Sequence, residues 1–214
     1  MPWIALLSPP IALAALLTIR ATYRGPRWLV YCCKPLATAL ILVLALAIDR
    51  GEDHSYTALL ALGLACSLVG DICLVLPQDR FVAGLLGFLL AHLAYIAAFS
   101  RADLVAWGGT APLSLLPLLA YGLAIFLPLR SRLGPLTVPV LGYMLIILLM
   151  AWRAIEYARQ YPAPGSLAAA CGALLFLISD SALARNRFAQ PFRAAQLLVL
   201  GTYFVAQWLI ALSR

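Results

Sequence analysis

The chain has 214 residues, of which 64% are hydrophobic and 11% charged, with a mean hydropathy of +0.98. Soluble domains carry about 25% charged residues, and eight spans of roughly 20 residues would take about 160 positions, so no soluble domain fits beside them and the chain reads as a polytopic membrane protein. Fifteen Lys+Arg against eight Asp+Glu give a net charge of +7, yet the basic residues sit in short loops beside apolar runs, where they set topology, and no aromatic-interleaved basic patch points to nucleic acid.

Apolar runs fall at 3–19, 34–49, 56–76, 81–99, 111–129, 135–156, 165–184 and 193–212, separated by turn-rich or charged stretches. They predict an all-α fold, a single domain over 1–214 built as a bundle of eight transmembrane helices. Seven is the competing count, if the first run lies flat or re-enters. That run lacks a basic n-region and a small-residue cleavage site, so it reads as a first span bent at Pro9-Pro10 and not as a signal peptide. The five cysteines show no CxxC or His-paired spacing, which indicates neither a disulfide framework nor a zinc site; no metal or cofactor is expected.

Loops 1–2, 3–4, 5–6 and 7–8 hold Arg20, Arg24, Arg27, Lys34, Arg80, Arg130, Arg132, Arg185, Arg187 and Arg193, whereas the tails and other loops hold Arg50, Arg101, Arg153, Arg159 and Arg214. This asymmetry predicts odd-numbered loops in the cytoplasm, in the cell membrane if the source is bacterial. A partial internal repeat relates helices 3–4 to helices 7–8. SLVGDICLVLPQDRF and FLISDSALARNRF each place an Asp late in a helix, a Leu three residues on, and Arg-Phe before the next helix. Four spans separate the copies, so they share one orientation, as parallel repeats do.

Of the eight acidic residues, only Asp71 and Asp180 fall inside apolar runs. A carboxylate there costs several kcal/mol unless it is neutral, paired or wet, and so marks a functional site. Both approach the cytoplasmic ends of their helices, which predicts two facing carboxyls at similar depth across a polar cleft. Lys34 is read as opening helix 2 at that same end. His92 and Tyr95, three residues apart on helix 4, share a face, as do Tyr203 and Gln207, four apart on helix 8. Arg185, Asn186 and Arg187 form a polar mouth after helix 7.

The blocks SLVGDICLVLPQDRFVAGLLGFLLAHLAYIAAF and LLFLISDSALARNRF…TYFVAQWLI, with the early YCCKPL, resemble the YhhN/TMEM86 family of lysoplasmalogenases over most of the chain from about residue 30. The resemblance implies an eight-helix membrane hydrolase that cleaves the vinyl ether bond of lysoplasmalogen, giving a fatty aldehyde and glycerophosphocholine or glycerophosphoethanolamine. The family's two intramembrane acidic positions match Asp71 and Asp180.

A vinyl ether resists nucleophiles but yields to acid, so the chemistry needs one carboxylic acid and one carboxylate. Two carboxyls close together in a low-dielectric cleft supply that pair by sharing a proton. Lys34, Arg185 and Arg187 are expected to hold the phosphate, with His92, Tyr95, Asn186, Tyr203 and Gln207 as further substrate-binding candidates; the deeper His92, Tyr95, Tyr203 and Gln207 would line the chain pocket or hold water. The expected partners are a single-chain phospholipid and the membrane lipids; oligomeric state is open. The alternatives are a proton-coupled transporter using the same Asp pair, a non-catalytic lipid-binding or assembly protein, and a metal-dependent lipid hydrolase. The last is hard to complete with two histidines and no HExxH.

Overall fold

The computed structural model describes residues 2–48, 54–78, 80–100 and 111–213, with residues 111 and 112 described by their backbone. The described residues form eight α-helices: α1 (Pro2–Arg24), α2 (Arg27–Ala47), α3 (His54–Val75), α4 (Phe81–Ser100), α5 (Ala111–Leu129), α6 (Thr137–Gln160), α7 (Pro164–Phe188) and α8 (Ala195–Ala211). Two short 3₁₀ turns, Arg130–Arg132 and Gly134–Leu136, join α5 to α6. Helices suit a bilayer because each satisfies its backbone polar groups internally.

Seven of the eight are long and apolar enough to cross a membrane; the one that falls short is α8, not the first. Its 17 residues span about 26 Å at 1.5 Å per residue, against a hydrocarbon core of about 30 Å. The first run instead extends to 23 residues and stays helical through Pro9 and Pro10.

Seven helices close into a ring in the order α1–α2–α3–α4–α6–α7–α8, with α8 returning to pack on α1 and α2. The fifth helix stands outside it, against α6 and α7. Exposed Leu113, Leu116, Leu119, Leu123 and Leu127 give α5 an outward apolar stripe suited to lipid.

The tightest pairs are the two hairpins that carry the repeat, α3–α4 and α7–α8. Small residues let their backbones approach. A Cβ added at Gly87 would lie 2.9 Å from the Gly70 Cα, and one at Gly172 would lie 2.9 Å from the Ala206 carbonyl oxygen. Such close approach is how helices associate where lipid is as apolar as leucine. The hairpins meet at both depths relevant to the site. Phe81 and Phe188, which follow the Arg of each copy, pack edge to face at 5.6 Å, and Tyr95 of α4 donates to the Gln207 side-chain carbonyl of α8 at 2.8 Å.

Candidate active site

Asp71 lies four residues before the end of α3 and Asp180 eight before the end of α7, or about 6 and 12 Å by helical rise. Asp180 is the deeper of the two because α7 continues through Arg185, Asn186 and Arg187, which form its last turn and not a mouth beyond it. Lys34 likewise does not open its helix. Since α2 begins at Arg27, Lys34 is carried about 10 Å inward.

That depth puts the ammonium on Asp71. Lys34 Nζ stands 2.9 Å from Asp71 Oδ1, while Asp71 Oδ2 accepts from Thr38 Oγ1 at 2.6 Å and from the Tyr203 hydroxyl at 2.7 Å. The carboxyl is fully buried, so its charge must be met from within the bundle. Further donors stand behind these. Gln207 Nε2 donates to the Tyr203 hydroxyl at 3.3 Å, and Tyr95 donates to Gln207. Tyr95, Gln207 and Tyr203 thus form a line of hydrogen bonds ending on Asp71, with every donor pointing the same way.

Asp180 has different company. Its Oδ2 accepts a hydrogen bond from the Tyr143 hydroxyl of α6. Asp180 is partly exposed and lines a groove whose other walls are almost all apolar, including Leu85, Phe88, Phe126, Met144 and Ile147. The expected polar cleft is in fact an apolar groove with one carboxyl in its side.

A second cavity, of about 630 Å³, opens beside it and is lined by Lys34, Arg27, Tyr31, Asn186 and Arg187. Leu74, Phe81 and Leu183 line both spaces. Leu74 and Leu183 are the leucines three residues after each Asp in the repeat. The Arg187 guanidinium lies 4.1 Å from the centroid of the Phe81 ring at this boundary. Asn186 Oδ1 also accepts from the Phe192 backbone N–H at 3.4 Å, so it braces the α7–α8 turn.

Other candidates fall elsewhere. Arg185 does not line the cavity that holds Lys34; it lines a separate cavity with Arg132. His92 is fully buried, edge-on to Phe176 at 4.7 Å and to Tyr143 at 5.2 Å, and neither ring nitrogen has a hydrogen-bond partner among the described residues. Among the described residues no group of three or more His, Cys, Asp or Glu could hold a metal ion. The loop acids Asp49, Glu52, Asp53, Asp79 and Asp103, with Arg50, Arg101 and Arg214, lie outside the described residues.

Sequence reasoning missed Thr38 and Tyr143. Thr38 is one helical turn from Lys34, a spacing that could have paired them. Tyr143 is a lone hydroxyl in an apolar run and carried no signal.

The family model described as the YhhN family matches residues 29–214. Lysoplasmalogenase TMEM86B of Homo sapiens is 42% identical over 74% of this chain and 64% of its own length, so the chain spans just under two thirds of that relative. Lysoplasmalogenase TMEM86A of Homo sapiens is 35% identical over 88% of the chain and 79% of its own length. The uncharacterized membrane protein YhhN of Escherichia coli O157:H7 is 33% identical over 95% of both. No solved structure matches the chain.

Proposed function

The chain belongs to the YhhN family, and on that premise we propose that it is a lysoplasmalogenase-type membrane hydrolase whose reacting groups are Asp180 and Asp71. The observation that carries the reading is the junction of the two spaces: a carboxyl set in an apolar groove, beside a basic cavity that holds the Lys34–Asp71 pair. A lysoplasmalogen has that same sequence of parts, an apolar chain, a vinyl ether and a phosphate.

The alkenyl chain lies in the groove and the phosphate in the cavity with Arg27 and Arg187, which places the ether near Leu74, Phe81 and Leu183. Arginine suits phosphate because its donors form a planar fork. Lys34 acts on Asp71 before it acts on phosphate, a change from the role expected of it.

Neighbours divide the labour between the carboxyls. Three donors converge on Asp71, an arrangement that fits a carboxylate. Asp180, with one donor and apolar walls, is the acid. Asp180 passes its proton to the alkene carbon remote from oxygen, leaving an oxocarbenium ion. Water adds to the carbon bearing oxygen and gives a proton to Asp71. As the hemiacetal collapses, its hydroxyl proton goes to Asp180 and the departing glycerol oxygen takes the proton from Asp71. Both groups then stand as they began, and the products are an aldehyde and a glycerophosphodiester. The excess of basic residues in the loops at this end supports a cytoplasmic placement.

The test is release of aldehyde from lysoplasmalogen by purified protein in detergent, followed by mass spectrometry. Wild type releases aldehyde, with or without chelator, and Asp180→Asn does not. A protein that moves protons or lipid across a sealed membrane would release none, and that result overturns the reading.

A further inference from the structure

We propose that a cavity between α5 and the end of α7 holds the phosphate-bearing headgroup of a phospholipid of the surrounding bilayer. This space, of about 420 Å³, is lined by Arg132, Arg185 and Gln190 together with Ile125, Pro128 and Leu129 of α5. It shares no residue with the cavity containing Lys34, so it is a separate place for an anion.

Both arginines are oriented and available. Arg132 Nη1 donates to the Ala189 carbonyl oxygen at 2.8 Å, which fixes the guanidinium and leaves its other donors for a ligand. The Arg185 guanidinium lies 5.9 Å from the centroid of the Phe192 ring. Neither has a carboxylate partner among the described residues, and no acid lines the cavity. Two arginines from different elements, converging on one space without a counter-ion, match a phosphate diester.

The apolar part of the lining distinguishes a lipid from a free anion. Inorganic phosphate would leave Ile125, Pro128 and Leu129 against water. A phospholipid covers them, and its chains continue along the exposed Leu119, Leu123 and Leu127 of α5. Ile125 and Leu129 also line the apolar groove of Asp180, so the lipid rests on the one helix outside the ring, at the back of the substrate space. Basic pockets at a helix end are common headgroup sites in membranes.

Binding is read without substrate, so this test stands or falls apart from the hydrolase reading. The protein is purified in detergent with phosphatidylglycerol and examined by native mass spectrometry. Wild type retains one lipid. Arg132→Gln with Arg185→Gln lowers retention by at least about tenfold, as loss of charge-assisted hydrogen bonds predicts, whereas Arg27→Gln with Arg187→Gln does not. Equal retention by wild type and the Arg132/Arg185 variant overturns the proposal, as does displacement of the lipid by an equal concentration of inorganic phosphate. A photo-crosslinking residue placed at Gln190 keeps both arginines and does not depend on the variant's folding. It captures phosphatidylglycerol if the site is as described, and failure to capture it overturns the site.

Discussion

Asp71 and Asp180 hold corresponding positions in two copies of one hairpin, but three donors converge on the first and one on the second. The proposed mechanism assigns the first as base and the second as acid on that difference. Asp180→Asn keeps the size and much of the hydrogen bonding but removes the proton, so kcat should fall by about 10²–10⁴-fold with little change in lipid binding. Asp71→Asn should do likewise, and the double variant should be scarcely worse than the worse single one, as the proposed acid–base pair requires. Lys34→Ala should act on stability as well as rate. It leaves a buried carboxylate without its counter-charge, a loss of about 3–5 kcal/mol, readable as a lower thermal midpoint in detergent. Adding Asp71→Asn to Lys34→Ala should recover much of that stability but none of the activity. The two acids were legible in the sequence because a carboxylate in an apolar run has few harmless explanations. The place of Lys34 was not, since the apolar run begins at the lysine whereas the helix begins seven residues earlier, at Arg27. Hydroxyls such as Thr38 and Tyr143 are ordinary in spans and become informative once the helices are docked.

At the scale of elements, the Asp71 hairpin depends on glycine contact. Gly87→Val should destabilise the protein by about 1–3 kcal/mol through overpacking, because even a Cβ there meets the Gly70 backbone. Gly142→Ala, where nothing lies within 4 Å, should raise the thermal midpoint slightly, since alanine favours a helix over glycine. Equal midpoints for the two variants would show that the α3–α4 approach is looser than described. Helix count and order followed from hydropathy, since the bilayer imposes length and composition on each span. The position of α5 outside the ring did not, because an apolar run looks alike whether it faces lipid or protein. Helix ends shifted where polar residues continue a helix beyond the hydrocarbon, as Arg185–Arg187 do on α7.

Asp71, Asp180 and the three cavities described above lie toward one end of the bundle, the end with Arg27, Arg132, Arg185 and Arg187. Orientation is testable apart from chemistry. In a background lacking the exposed Cys32 and Cys171, an impermeant thiol reagent applied to intact cells should label Ala163→Cys and spare Ser131→Cys; the reverse would invert the protein but leave the site intact. The central claim is that a carboxylic acid protonates carbon, and hydrolysis in heavy water tests it most directly. Aldehyde trapped as it forms from wild type should carry one deuterium on the carbon next to the carbonyl, and Asp180→Asn should form almost none. Aldehyde without that deuterium, or aldehyde formed by Asp180→Asn at the wild-type rate, would contradict the account.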